Sequence, residues 1–166
     1  MYIPITPLRN ALEELIAQNN DLGSHRARLL EIEGQSIKIL ELILDPANDF
    51  NCVMYAFNFR LEMPTNVFGR YYANTEYLKY LIDNQHLIEV SEQDLAHGDY
   101  CVYSFEDKLT HIGVVSAERL IKSKWGMGHI FEHPIEQCPI SYGNTVKFYK
   151  QITEDDALDH FYAFYD

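Results

Sequence analysis

Apolar residues recur at helical spacing from the start of the chain: Leu8, Leu12, Leu15 and Ile16 follow Thr6-Pro7, a cap with proline at the first helical position. This pattern predicts an amphipathic helix, ended by Asn19, Asn20, Asp21 and Gly23. Ser24 can cap a second helical stretch, whose apolar face is Leu29, Leu30, Ile37, Leu40, Ile43 and Leu44 and which Gly34 can break in two. Asp45-Pro46-Ala47-Asn48-Asp49 is a turn cluster, because proline cannot continue a helix and Asn or Asp side chains bond their own backbone. Asn51 to Phe57 is short and apolar and fits a helix or a buried strand; its acidic, Asn-rich lead-in favours the helix. Gly69, Arg70, Tyr71 and Tyr72 read as loop, and Asn74 as the cap of a helix carrying Tyr77, Leu78, Leu81 and Ile82 that Asn84-Gln85 closes.

After Gly98-Asp99 the period changes. Tyr100 to Phe105, Leu109 to Val115, Leu120 to Trp125 and Thr145 to Ile152 are short apolar runs and predict an antiparallel meander. Ser116 to Arg119 suits a tight connection between the second and third strands, and the stretch from Gly126 to Gly143 reads as irregular. Thr153 caps a terminal helix from Asp155 to Tyr165. The expected class is α+β in one domain, with an N-terminal helical segment over 1–48 and a second unit over 49–166.

Composition narrows the picture. The chain has 166 residues, 47% hydrophobic and 23% charged, as expected of a single folded domain rather than a disordered or disulfide-dense one. Its 25 acidic against 13 basic side chains leave a net charge of -12, which repels phosphate backbones and anionic lipid, so neither nucleic acid nor membrane is an expected partner. No apolar run reaches the roughly 18 residues a bilayer requires. Met1-Tyr2-Ile3-Pro4 lacks the regions of a signal peptide, so the expected site of residence is the cytoplasm where the chain is made, with export as an effector left open. Three cysteines, Cys52, Cys101 and Cys138, are an odd number without Cys-x-x-Cys spacing, which points neither to zinc nor to a disulfide framework.

Two positions carry candidate chemistry. Cys52 stands at an inferred helix start, where free N–H groups favour a thiolate, although cysteine is also among the most buried residue types. His111 heads the apolar strand Thr110-His111-Ile112-Gly113-Val114-Val115, where an imidazole can take a thiol proton and return it to a leaving group. His129 and His133 are four apart with Glu132 between, but Phe131 and Pro134 do not favour the helix a zinc site of that spacing needs. Trp125, with Gly126 and Gly128 after it, can either wall a substrate cleft or close the core. His25, His86, His97 and His160 lie in polar surroundings, and Tyr71, Tyr72, Tyr77 and Tyr80 can line a groove or edge the core.

A helix-borne cysteine, then Gly98-Asp99-Tyr100-Cys101-Val102-Tyr103, then His111-Ile112-Gly113-Val114-Val115, resembles the layout of the NlpC-type cysteine peptidases of the papain-like superfamily. The resemblance covers Asn51 to about Gly126. It implies an antiparallel sheet packed on the cysteine-bearing helix, Cys52 as nucleophile, His111 as general base and amide cleavage through a thioester, with no cofactor. Asn51 and Val53 stand where the family usually has an acidic or small polar residue and a small one. The family's third polar residue sits on the next strand, where the position opposite His111 falls near Ser123, beside Lys122 and Lys124. The role can instead pass to His129, Glu132 or His133, or be absent and leave a dyad. Asn51, Trp125 and Tyr142 are the expected substrate-binding residues for a peptide or amide, proteins included. The same dyad serves an acyltransferase or transglutaminase, and the same fold without catalysis serves a binding, immunity or effector protein. Oligomeric state is not encoded in any of these features.

Overall fold

The computed structural model describes residues 1–17, 27–29, 31, 36–41, 50–59, 73–126 and 129–166. Helix α1, Pro7–Ala17, starts as its sequence predicts, with the Arg9 N–H donating to Thr6 Oγ1 at 3.3 Å and Leu12 and Leu15 buried. Helix α2, Cys52–Ala56, is capped by Asn51, whose Oδ1 accepts the N–H groups of Val53 and Met54 at 2.9 and 3.0 Å. Helix α3, Thr75–Asp83, is capped in the same way by Asn74, and α4, Glu154–Tyr165, by Thr153.

Seven strands form one antiparallel sheet among the described residues, giving an α+β architecture. They are β1 Lys38–Glu41, β2 Glu89–Val90, β3 Tyr100–Phe105, β4 Lys108–Val115, β5 Ile121–Lys124, β6 Ile130–His133 and β7 Thr145–Tyr149, in the order β1-β6-β5-β4-β3-β7-β2. The meander holds for β3, β4 and β5, but β7 returns to the other side of β3, pairing Tyr103 with Val146. Two expectations are corrected. Residues 38–41, expected on a helical face through Leu40, form a strand because they pair with β6, Lys38 opposite Glu132. The stretch read as irregular contains β6, which alternation did not reveal because three of its four residues, Ile130, Phe131 and His133, are buried. The expected helix end at Asn19 to Gly23, the cap at Ser24, Leu30, Gly34, Ile43, Leu44, the Asp45 to Asp49 turn and the Gly69 to Tyr72 loop lie outside the described residues.

Successive strand residues point to opposite faces, and the sheet is buried on both. On one face Tyr100, Val102 and Ile112 pack with Val53 and Met54 of α2, Tyr77, Leu78 and Leu81 of α3, and Phe161 of α4. The Tyr77 hydroxyl donates to the Ala157 carbonyl at 2.6 Å and ties α3 to α4. On the other face Cys101, Tyr103, Ile121, Trp125 and Phe131 pack with Ile3, Leu12, Leu15 and Ile37 from the N-terminal segment. Among the described residues no helix is long and apolar enough to cross a membrane.

Gly98-Asp99 proves to be a structural clamp. Gly98 has φ 94, and a Cβ there would collide with the Gln151 side chain. Asp99, 3% exposed, accepts from the Ala96 N–H at 2.9 Å, the Lys150 ammonium at 2.9 Å and the Gln151 N–H at 3.2 Å. Burial pushes its carboxyl up, but the three hydrogen bonds and the Lys150 charge outweigh it and hold it below the usual aspartate value. A carboxyl lowered by folding adds stability above its unfolded value of about 3.9 and loses that contribution as pH falls through the lowered folded value. Asp99→Asn is therefore expected to lower unfolding free energy by about 1.5–3 kcal/mol at neutral pH, with the deficit shrinking in strong acid. Urea unfolding of both proteins at neutral and acid pH checks this, and a deficit independent of pH would rule out the ionic clamp.

Candidate functional site

The site forms at the seam where β4 and β5 part. Val115 bonds toward β3, its N–H donating to the Asp99 carbonyl at 2.8 Å and its carbonyl accepting from Gly98 at 2.9 Å. In an antiparallel ladder the bonding side alternates, so Gly113 and His111 also bond toward β3 while Val114 and Ile112 face β5. The β4–β5 pairing has two steps only, Val114 with Lys122 and Val115 with Ile121. Beyond them the Ile112 N–H lies close enough to the Cys52 sulfur to favour its anion.

Burial raises the Cys52 thiol above its usual value, opposed by the N–H groups of Ile112, Cys52 and Val53 and by the charge of Lys124. The sulfur is thus a neutral thiol at rest in a setting of donors that favours its anion. α2 has only five residues, so these amides and Lys124, rather than a helix dipole, supply that bias.

His111 follows Ile112 in the opposite sense, leaving β4 on the other face. Its ring lies flat on Tyr142, centroids 3.7 Å apart and planes at 9°, and near Tyr103 at 5.7 Å. It is 1% exposed, and burial, helped by His133, lowers it well below the usual histidine range, so it is a neutral imidazole. Its Nε2 has no hydrogen-bond partner among the described residues. The structure thus places Cys52 against one face of the sheet and His111 on the other, with no hydrogen bond from His111 Nε2 to the sulfur among the described residues.

Tyr142 links the two. Its hydroxyl accepts the Gly126 N–H at 3.0 Å, and burial raises its phenol well above the usual tyrosine value, with the Cys52 charge adding to the effect. Its carbonyl accepts from Thr110 Oγ1 at 2.5 Å. The loop that carries it is held by Arg9, fully buried on α1, whose guanidinium donates to the carbonyls of Cys138 at 3.0 Å, Pro4 at 3.2 Å, Pro139 at 3.2 Å and Gly143.

Ser123 stands beside Gly113 rather than opposite His111, because the hairpin closed by the Ser116 N–H on the Leu120 carbonyl sets the register two residues away from the expected one. Its hydroxyl is engaged: it accepts from Trp125 Nε1 at 3.1 Å and meets His133 Nε2 at 3.0 Å. His133 Nδ1 lies 2.8 Å from the Pro134 carbonyl, which only accepts, so Nδ1 carries the proton and Ser123 donates to Nε2. Burial lowers His133 to about 4 despite that carbonyl, keeping it neutral. Trp125 is fully buried and stacks on Phe131 at 4.2 Å, so it closes the second core and does not wall a cleft. His129 is buried with its ring 6.4 Å from Phe131, and its carbonyl accepts from the Trp125 N–H. Asn51 is a capping residue, its Nδ2 also donating to the Ala73 carbonyl at 2.7 Å. Among the described residues no three His, Cys, Asp or Glu side chains gather as metal ligands would.

No family model, curated protein or solved structure matches the chain. The functional reading therefore rests on this geometry.

Two functional positions escaped the sequence reading. Lys124 is 2% exposed, and little in the sequence signals it, since its phase of the strand runs Leu120, Lys122, Lys124, Gly126. Arg9 shares the helical face of Leu12 and Ile16 at three- and seven-residue spacing. Arg9→Met is expected to cost about 2–4 kcal/mol, since it leaves buried carbonyls without donors. Arg9→Lys should recover little, because an ammonium lacks the planar fork; urea unfolding of the three proteins checks both, and full recovery by lysine would show that charge alone matters.

Proposed function

We propose that the chain is a papain-like cysteine hydrolase acting on a peptide or amide. The observation that carries this reading is the buried, unpartnered Nε2 of His111, one residue from the amide that serves the Cys52 sulfur. A buried polar atom without a partner is rare and costly, and at a thiol site it is the position a transferring proton requires.

In this mechanism Cys52 Sγ attacks the substrate carbonyl carbon as its proton passes to His111 Nε2. The carbonyl π electrons move to oxygen, and the N–H groups of Cys52 and Ile112 are donors for that oxyanion. Collapse expels the amine, which takes the proton from His111, and leaves a thioester. Water then attacks, giving its proton to the imidazole, and the carboxylic acid departs as the thiol is restored. The antiparallel sheet packed on the cysteine-bearing helix agrees with the papain-like layout.

A second reading, a non-catalytic papain-like binding or immunity protein that meets a basic partner, is favoured by the burial that keeps both thiol and imidazole neutral and by the net charge of -12.

Screening a library of fluorogenic peptidyl amides separates the two. For the hydrolase, a responsive substrate is expected to lose about 10³-fold or more of its turnover in Cys52→Ala and about 10²–10⁴-fold in His111→Ala; full turnover in Cys52→Ala would remove the mechanism, and no turnover of any member favours the binder. The pH profile gives an independent check. The base is competent above its own pKa, and His111 is lowered, so kcat/KM should stay flat from about pH 6 to about pH 8. An acid limb near or above pH 7 would place the base elsewhere.

A further inference from the structure

We propose that Lys124, and not a residue of the His111 face, is the charge that sets the reactivity of the Cys52 sulfur. This deepens the hydrolase reading, but its test does not depend on turnover.

Strand parity gives the first support. Ile121, Ser123 and Trp125 belong to the face that holds His111, with Ile121 and Trp125 in its apolar core. Lys124 therefore leaves β5 on the other face, against α2. Its ammonium lies 5.0 Å from the centre of the Phe50 ring, two residues before Cys52, and donates to the Gly126 carbonyl at 3.1 Å. At 2% exposure little water screens it. The Gly126 N–H in turn donates to the Tyr142 hydroxyl at 3.0 Å, so the residue that takes the ammonium on one side of its peptide steadies the phenol on the other. Both contacts fix the position of the ammonium.

Among the described residues, the titratable groups that act on the sulfur are Lys124 from β5 and Tyr142 from the loop before β7, with His111 stacked on Tyr142. Tyr142 and His111 are both neutral over the working range, as their displaced values require. When the thiol proton leaves, to His111 or to a solvent base, the positive group that the described residues set against the sulfur charge is therefore Lys124. That is an electrostatic role at the reacting atom, distinct from proton transfer, and it explains why a lysine is retained at a buried strand position where an apolar residue would pack at less cost.

The experiment is the rate of Cys52 alkylation by iodoacetamide as a function of pH in the full chain, read by peptide mass spectrometry, with Cys101 and Cys138 as internal references. In this reaction the thiolate forms an S–C bond and iodide leaves. Burial raises both reference thiols, Cys138 to about 12, and both are fully buried, so they should label slowly. In Lys124→Met the Cys52 midpoint should move up by about one pH unit, a roughly tenfold loss of rate at neutral pH, while Lys124→Arg keeps the native midpoint. Lys124→Gln, which retains a donor for the Gly126 carbonyl without the charge, should behave like the methionine variant and replaces it if that protein does not fold. An unchanged midpoint in either neutral variant, or a Cys52 that labels no faster than Cys101 in the native chain, overturns the proposal. A shifted midpoint in a chain that cleaves no amide would uphold Lys124 while removing the hydrolase.

Discussion

Neighbouring residues of a strand leave the sheet on opposite faces, and in this molecule that constraint falls on His111 and Ile112. Ile112 goes to the core shared with α2, and His111 to the core shared with the N-terminal segment. The thiol and the imidazole thus belong to different hydrophobic interiors, on the two faces of the sheet near the point where β4 and β5 stop pairing. Everything proposed for the site depends on that interruption of the ladder, beyond which the Ile112 N–H acts on the sulfur.

Polar groups around the seam are arranged in two sets. On the His111 face a chain runs from Trp125 Nε1 through the Ser123 hydroxyl and His133 to the Pro134 carbonyl, each donor meeting one acceptor. It is closed on itself, and it fixes the tautomer of His133 and the plane of Trp125 without involving His111. On the α2 face Lys124 and the Gly126 peptide make the second set, connected through Tyr142 to the ring of His111. Satisfied buried networks of this kind rigidify the packing around them, whereas His111 Nε2 has no partner among the described residues.

What the sequence disclosed was mostly local. Thr6-Pro7, Asn51, Asn74 and Thr153 each marked a helix start because capping is a contact between a side chain and amides two or three residues away. The strands from Tyr100 to Lys124 were legible from short apolar runs between turn residues. Register was not: the partner of His111 depends on how many residues the hairpin from Ser116 to Leu120 consumes, and counting placed Ser123 where Gly113 now meets it. Nor could residue types show which face of the sheet α2 covers, and so whether Ser123 or Lys124 would share it with Cys52. Arg9 was hidden for a related reason, since its partners are main-chain atoms that carry no residue identity.

The guanidinium of Arg9 joins positions 129 and 130 residues apart in the chain, through the Cys138 and Pro139 carbonyls. Contacts of that separation form late, because the entropy of closing so long a loop must be met before they stabilise anything. Helix α1 consequently lacks these partners, and part of the cover of Leu12 and Leu15, until the segment around Cys138 has been synthesised. The α2 interior has to wait as well, because Ala157 and Phe161 of α4 complete it, so neither interior can consolidate before the residues after β6 have joined the sheet and its helices.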